Sequence, residues 1–334
     1  MRVWALAAGV ALSVLLAAVA TGQQATGGEP LKWFKGNTHT HSLNSDGDST
    51  PDDVVRWYRE QRYHFLFFTD HNTVTPIDGL NAVFGAPDRF LVIRGEEITD
   101  AADKKPVHLN MLGGEGVVAP QGGATPAEAL RRNVATIRAA RGIVSVNHPN
   151  FGWAMSAADL LEARGAELLE IHNAHYQVNN EGGGGQPGTE ALWDSMLSAG
   201  ITIFGVASDD VHELKRPWVK TSARPGLGWI VVRAPRLTAD AILAAIARGD
   251  FYASTGVELT DIQATPQRLT VTIKGLSDAR YTVQFSGKGG RMLAEVSASP
   301  YQYDIVGDEG YVRARVRDSN GQMAWTQPVF VKGG

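Results

Sequence analysis

The chain contains, at residues 65–71, the stretch Phe65-Leu66-Phe67-Phe68-Thr69-Asp70-His71. Four consecutive large apolar residues are typical of a short strand that is buried on both faces, as strands of parallel sheets are. The run then ends in an acid and an imidazole, two groups that bind metal ions. Because residues that follow parallel barrel strands converge at one end of the barrel, this stretch predicts a functional site at that end.

The same arrangement recurs over residues 32–253, where short apolar runs alternate with helical patterns. Alternating strands and helices predict a parallel sheet or barrel, and seven or eight strands favour a barrel. We therefore expect an α/β fold over this range. The other strand candidates are Trp33–Asn37, Phe90–Arg94, Val107–Leu112, Gly142–Val146, Glu167–Ile171, Ile201–Val206 and Trp229–Arg233.

Several of the intervening helices begin with a recognisable cap. A glutamate follows Thr125 by three residues, which is the spacing of a capping box. Ser156 precedes a predicted helix over residues 157–164, and Gly249 is placed to end the last helix of this range. The four predicted N-cap residues are Thr50, Thr125, Ser156 and Thr238.

After about residue 254 the pattern changes to short strands separated by turns. Residues 257–334 are predicted to form a small all-β, sandwich-like domain. This segment contains no histidine, so we assign it no metal chemistry. Packing is its expected role, and binding of a partner or polymer is the alternative. Its strand candidates are Leu269–Ile273, Tyr281–Phe285, Tyr301–Ile305, Tyr311–Arg317 and Val329–Val331.

The amino terminus has the pattern of a secretory signal peptide. Arg2 is followed by an apolar run that ends in Ala18-Val19-Ala20, so residues 1–20 are predicted to be cleaved and 21–31 to be a polar linker. An uncleaved membrane anchor is the alternative. After cleavage we expect a periplasmic or secreted protein without a membrane span. The sequence has no cysteine, which excludes disulfides and lipoprotein attachment.

The charge of the chain narrows its partners. The formal net charge is −4 and no basic tract is present, so the sequence has no nucleic-acid footprint. A small-molecule ester is the partner that we expect. The sequence does not indicate the oligomeric state.

Histidines and acids follow the strand candidates in an ordered series. His39 and His41 are two residues apart at the end of a strand, so both side chains point the same way. Of the pair Glu96-Glu97, Glu97 is predicted to face the barrel axis. Glu96 is predicted to lie at the surface or to support a ligand from behind. Asp210 is preferred to Asp209 because of its Asp-x-His spacing. The predicted metal ligands are His39, His41, Asp46, His71, Glu97, His108, His148, Asp210 and His212.

Asp70 and His108 each allow two interpretations. Asp70 either orients His71 or caps a loop, and the sequence does not separate the two. His108 opens a strand candidate where the other ligands close theirs. By itself it would more often be a structural histidine.

Together these motifs resemble the PHP superfamily (polymerase and histidinol phosphatase), a group of metal-dependent phosphoesterases with a distorted seven-stranded β/α barrel. The resemblance implies a distorted (β/α)7 barrel and two or three divalent ions, Zn, Mn or Fe. In family order the motifs are His39-Thr40-His41, Ser45-Asp46-Gly47, Thr69-Asp70-His71-Asn72, Gly95-Glu96-Glu97, His108, His148-Pro149 and Asp210-Val211-His212.

The resemblance also implies how the ligands are shared. Glu97 bridges two ions, and Asp46 stands where some family members have a histidine. The implied sets are His39, His41, Glu97 and Asp210; Glu97, His108 and His148; and Asp46, His71 and His212.

The predicted export of this chain and its β domain make it more similar to the carbaryl-hydrolase branch. In that branch the bond cleaved need not be a phosphate ester. Residues 251–256 and 324–328 carry this part of the resemblance.

The expected chemistry is attack by a water whose pKa bound metals lower toward neutrality. Glu97, as the bridging carboxylate, is the first predicted catalytic residue. His172 and His175 are the others, since either imidazole would protonate a departing oxygen, although a polar hydrogen-bonding loop explains them equally well. Arg216 and Lys220 are the predicted substrate-binding residues, with a solvated surface run as the alternative.

Three functions remain open. The leading prediction is an exported metal-dependent hydrolase of phosphomono- or phosphodiesters. The second has the same metal site and cleaves a carbamate or a carboxylic ester. The third is a non-catalytic metal-binding or adhesion protein, against which the complete ligand set argues.

Overall fold

The computed structural model describes residues 29–216, 218–219 and 221–331. The predicted signal peptide, most of the linker and Lys220 lie outside these ranges. Within them, no helix is both long enough and apolar enough to span a membrane. The helices are α1 (Pro51–Glu60), α2 (Asp78–Phe84), α3 (Pro126–Ala139), α4 (Ala157–Leu160), α5 (Thr189–Ser198) and α6 (Ala239–Arg248).

The described residues also form seventeen strands. The first nine are β1 (Lys32–Asn37), β2 (Phe65–Phe68), β3 (Leu91–Ala102), β4 (Lys105–Gly113), β5 (Gly142–Val146), β6 (Leu168–Asn173), β7 (Phe204–Ser208), β8 (Trp229–Ala234) and β9 (Phe251–Ser254). The others are β10 (Leu259–Thr265), β11 (Arg268–Ile273), β12 (Tyr281–Gly287), β13 (Arg291–Val296), β14 (Tyr301–Asp304), β15 (Tyr311–Asp318), β16 (Met323–Thr326) and β17 (Val329–Phe330).

Strands β1 to β7 lie side by side in chain order, and most adjacent pairs are parallel. The two ends of this row meet just beyond β7 and β1. There Asp210 N donates to His39 O and His41 N donates to Val211 O, each at 3.1 Å. Among the described residues this contact is an isolated bridge rather than a regular strand pair. The mixed α/β fold is therefore confirmed, and full closure of a (β/α)7 barrel remains a prediction.

Strand β4 departs from the expected parallel order, because it is antiparallel to both β3 and β5. A two-residue turn joins β3 to β4, and its residues Asp103 and Lys104 both have positive φ, 49° and 60°. Two such residues are what a tight hairpin turn requires. Strand β4 therefore starts at the end of the sheet where the parallel strands of the row finish. This explains why His108 opens its strand and still lies with the other predicted ligands.

The sheet continues from β1 through β8 and β9 into the carboxyl-terminal strands. Strand β9 pairs with β16, and β15, β12 and β13 follow in that order. A second sheet of β10, β11 and β14 shares an apolar core with these strands, including Tyr252, Leu269 and Phe285. The segments on either side of residue 254 thus belong to one sheet. The domain boundary and the sandwich remain predictions.

The predicted helix caps form, with two differences. Thr50, Thr125 and Thr238 each accept a backbone hydrogen bond as N-caps. However, Glu128 accepts from Ala124 N rather than from Thr125, so the predicted capping box is only half formed. The complete capping box is at Ser156.

The helix that follows Ser156 is shorter than predicted. It covers residues 157–160 instead of 157–164. Beyond Leu160 the backbone bonds change to three-residue spacing, from Glu162 N to Asp159 O and from Ala163 N to Leu160 O. The prediction of the full length was wrong because these tight turns replace the last helical turn.

Candidate metal centre

All nine predicted ligands meet at the end of the sheet where the parallel strands finish. His39 and His41 follow β1, His71 follows β2, and Glu97 projects from β3. Asp46 reaches the same place from the loop before α1, and the remaining ligands come from β4 and from the segments after β5 and β7. Their burial ranges from complete at His39 to half-exposed at Asp46.

Glu97 is the centre of this cluster and is itself fully buried. Its Oε1 lies 3.2 Å from His108 Nδ1 and 3.4 Å from His148 Nε2. Its Oε2 lies on the other side, 3.4 Å from the Nε2 atoms of both His39 and His41 and 2.8 Å from His71 Nδ1. One carboxylate thus joins five imidazoles, which is the arrangement that a bridging ligand needs.

The ligand atoms form four overlapping groups, in each of which all atoms lie within 4.8 Å of one another. One group contains Glu97, His108 and His148 and matches an implied set. The implied set around His39 and Asp210 is divided between two groups. The four groups are His39, His41 and Glu97; His39, His148 and Asp210; Glu97, His108 and His148; and His41, Asp46, His71 and His212.

Several of these buried atoms have close neighbours but form no hydrogen bond of normal geometry among the described residues. They are His39 Nε2, His41 Nε2, Glu97 Oε2 and His108 Nδ1. Buried polar atoms are almost always paired, because leaving one unpaired costs free energy. Imidazole nitrogens and carboxylate oxygens that converge in this way are ligands for zinc, manganese or iron. The residues therefore fit divalent metal ions.

The charges of the cluster are mutually dependent. Burial alone would raise the pKa of Glu97, but the neighbouring His39 and His108 hold it well below its usual range. Burial lowers the pKa of His71, yet its contacts with Asp46 and Glu97 outweigh this and raise it to about 10. A proton on His71 thus balances these carboxylates, and a metal ion that bound here would replace it.

The competing acids are held away from the cluster. Asp209 accepts from Tyr58 OH at 2.7 Å and from three backbone amides of residues 226–228. Glu96 is buried rather than at the surface, and it accepts from Val118 N at 2.8 Å. Asp70 accepts from Ser42 N at 2.7 Å and from Ser45 Oγ at 2.8 Å. Asp70 therefore fixes the loop that carries Asp46.

A cavity of about 290 Å³ opens over the cluster. Besides predicted ligands, it is lined by Phe151, His175 and Gln177. The described residues that line it include no lysine or arginine. The carboxylates among these described lining residues all belong to the ligand cluster.

His172 and His175 have different surroundings. His175 lines the cavity, and its Nδ1 accepts from Gln177 N at 3.3 Å. Burial lowers the pKa of His175, and the nearby His212 adds to this. His172 does not reach the cavity; its ring stacks on Trp325 with centroids 6.0 Å apart. The register of the β6–β7 pairing shifts between Glu170 and His172, just before this ring.

Of the two predicted substrate-binding cations, only Arg216 can be placed, because Lys220 lies outside the described residues. Arg216 is largely exposed and pairs with Glu213 at 3.0 Å. It is not among the residues that line the cavity.

Sequence reasoning missed the buried acid beneath the cluster. Glu170 lies in the apolar run of β6, and its Oε1 is 2.7 Å from His39 Nδ1. The available signal was a single charged residue between Leu168-Leu169 and Ile171, since a charge in a buried strand needs a partner.

No family model matches the sequence, and no curated protein matches it. Solved structures do. A two-domain protein from Bacteroides vulgatus that contains a predicted PHP-like metal-dependent phosphoesterase is similar over 91% of this chain and 88% of that chain, with a TM-score of 0.50 and 15% identity. At this identity the likeness establishes the fold, and it confirms the predicted resemblance at that level.

Two further structures are similar over about half of this chain. A candidate metal-dependent phosphoesterase from Bifidobacterium adolescentis is 16% identical over 53% of this chain and 87% of that chain, with a TM-score of 0.39. An amidohydrolase from Chromobacterium violaceum with bound sulfate and no metal is 16% identical over 54% and 88%, also with a TM-score of 0.39.

Proposed function

We propose that this protein is an exported, metal-dependent hydrolase of small phosphomono- or phosphodiesters. The observation that carries the proposal is the convergence on the Glu97 carboxylate of buried ligand atoms that form no hydrogen bond of normal geometry. A folded chain tolerates such atoms where a cation satisfies them. The cavity above them provides a place for a small substrate.

The roles of the residues follow from their positions. We assign His39, His41, Glu97 and Asp210 to one ion, His108 and His148 with Glu97 to a second, and Asp46, His71 and His212 to a third. Two or three zinc, manganese or iron ions held there would supply Lewis acidity and lower the pKa of water.

His175 is the imidazole of the cavity that lies outside all four ligand groups. Its Nδ1 accepts from a backbone amide, so a neutral ring carries its hydrogen on Nε2. We assign this N–H to the leaving oxygen of the substrate, where a hydrogen bond stabilises the charge that develops. Phe151 and Gln177 would contact the rest of the leaving group.

A carbamate or carboxylic ester is the second candidate substrate. The observation in its favour is that the described lining of the cavity holds no lysine or arginine. Basic side chains commonly bind phosphate oxygens. Among the described residues, recognition of a phosphate would then depend on the ions and on His175, and a neutral ester would suit the cavity as well.

Metal removal tests the proposal. We expect two or three zinc, manganese or iron ions per chain by plasma mass spectrometry, and loss of hydrolysis after chelation that returns with added metal. Rates on nitrophenyl phosphate, its diester and nitrophenyl acetate identify the bond cleaved, and a strong preference for the acetate would overturn the phosphoester assignment. A folded protein that neither binds metal nor responds to it would support the non-catalytic alternative in its adhesion form.

His175→Gln tests the leaving-group assignment. We expect kcat to fall by about 10²–10³-fold, the usual effect of removing one donor to a developing charge. Metal content should not change, because His175 belongs to none of the ligand groups. The fall should be larger for an alkyl than for a nitrophenyl leaving group, since nitrophenolate needs less stabilisation.

His172→Gln is the matched control for this variant. It lies on the same segment, stacks on Trp325 and does not line the cavity, so kcat should stay near the wild-type value. The reverse result, with His172 needed and His175 dispensable, would show that the assignment is wrong.

A further inference from the structure

Glu170 lies below the metal centre and makes four hydrogen bonds there. Its Oε1 accepts from His39 Nδ1 at 2.7 Å and from Ser208 Oγ at 2.5 Å. Its Oε2 accepts from His148 N and from Asn173 Nδ2, each at 2.8 Å. The side chain is almost completely inaccessible to solvent. Every contact of this carboxylate is therefore with the protein.

These contacts determine where His39 carries its hydrogen. A backbone N–H and a side-chain amide N–H occupy one oxygen, and the serine hydroxyl donates to the other. A carboxylate only accepts, so His39 Nδ1 must donate to it. In the neutral ring the lone pair is then on Nε2. That atom lies 3.1 Å from Asp210 Oδ1 and 3.4 Å from Glu97 Oε2.

The same carboxylate reaches two other ligand-bearing segments. It holds His148 through the backbone N–H, just after β5. It also holds Asn173, whose Nδ2 donates to Asp210 Oδ2 at 3.1 Å. One buried acid on β6 thus contacts His39 and His148 directly and Asp210 through Asn173.

We propose that Glu170 is the positioning residue of the metal centre: it fixes the His39 tautomer and holds His39, His148 and Asp210 in register for metal binding. The inference rests on the metal-binding part of the proposed function. Carboxylates that accept from a ligating histidine orient the ring, and their loss typically weakens metal affinity about 10–100-fold. Glu170 touches neither the cavity nor the proposed substrate position.

The test is the metal affinity of Glu170→Gln in the full protein. An amide keeps the shape of the carboxylate, but one of its two oxygens becomes an NH2 group. That NH2 group cannot accept the two hydrogen bonds that the replaced oxygen accepts. Zinc affinity is measured by competition with chelators of known strength. We expect Glu170→Gln to bind zinc about 10–100-fold more weakly than the wild type. In the cobalt-loaded protein, the visible absorption band should shift, because the imidazole of His39 no longer meets the ion in a fixed orientation.

Glu167→Gln is the matched control. Glu167 lies immediately before β6, three residues from Glu170, and accepts from Val144 N and Arg138 rather than from a ligand. It should keep wild-type metal affinity and the wild-type cobalt spectrum. A general loss of stability would affect both variants, whereas a positioning role affects Glu170→Gln alone.

Ser208→Ala covers the case in which Glu170→Gln does not fold. It removes one of the two donors on the oxygen that holds His39, so we expect a smaller loss of zinc affinity, under about tenfold. Wild-type affinity and spectrum in whichever of these two variants folds would overturn the inference. Metal binding without hydrolysis in the wild type would overturn the proposed function and leave this inference standing.

Discussion

Glu97→Gln is expected to lose bound metal and to reduce hydrolysis by about 10³-fold or more. The reason is that both oxygens of this carboxylate face imidazole nitrogens on opposite sides, so an amide would weaken more than one ion site at once. Metal-ion catalysis contributes several kcal/mol to the transition state, and each 1.4 kcal/mol is about tenfold in rate. Plasma mass spectrometry and the hydrolysis assay measure the two effects together.

Glu96→Gln provides the comparison, since it removes the neighbouring charge without touching the cluster. Glu96 faces the other side of β3 and accepts from Val118 N. Its variant should keep the metal and most of the activity. If Glu96→Gln lost the metal and Glu97→Gln kept it, the inward and outward assignments of this acid pair would be reversed.

The ligand cluster was predictable because its members share one local signal. An apolar run predicts a buried strand, and the polar residue that follows it lies at the carboxyl end of that strand. This inference needs no information about the rest of the chain. His39, His71 and His148 all follow this rule. His108 does not, and only the turn at Asp103-Lys104, which reverses β4, explains its place.

Supporting residues were harder to predict because their partners are distant in sequence. Glu170 is 131 residues from His39, and nothing in its own neighbourhood identifies that partner. His172 lies just beyond a register shift in the β6–β7 pairing, and His175 lies past the end of β6. An alternation rule applied to β6 alone cannot locate such a shift, since it belongs to a pair of strands.

The carboxyl-terminal strands show the same limit. Strands β11, β12 and β15 were predicted near their observed bounds, because their alternating patterns are local. The pairing of β9 with β16 was not predicted, since it joins Ala253 to Trp325 across the chain. That pairing merges two predicted domains into one sheet.

A buried ion-pair network fastens α5 to β15. Arg313 donates to both oxygens of Asp194, from Nε at 2.8 Å and from Nη2 at 2.7 Å. Its Nη1 donates to Glu190 Oε2 at 2.9 Å, and Tyr311 OH donates to Asp194 Oδ1 at 2.7 Å. The side chain of Arg313 is 4% exposed and that of Asp194 is 10% exposed.

Arg313→Met is expected to lower the free energy of unfolding by about 3–5 kcal/mol, as removal of one partner from a buried ion pair does. Asp194 would remain buried as a carboxylate with Tyr311 OH as its remaining donor among these contacts. Urea denaturation, followed by fluorescence, measures the loss. The exposed pair of Arg141 with Glu115, whose side chains are 79% and 70% exposed, supplies the control. Arg141→Met should change stability by less than about 1 kcal/mol.

The double variant Arg313→Met with Asp194→Leu separates two causes of this loss. If the loss comes from the uncompensated carboxylate, replacing both charges with apolar side chains should recover most of it, because apolar replacements of buried ion pairs are often neutral. Glu190 keeps Arg315 as its partner, at 3.0 Å, in this variant. If the double variant were as unstable as Arg313→Met, the attraction and geometry of the pair itself, rather than the unpaired charge, would hold α5 against the sheet. A single variant no less stable than Arg141→Met would show that the network contributes little.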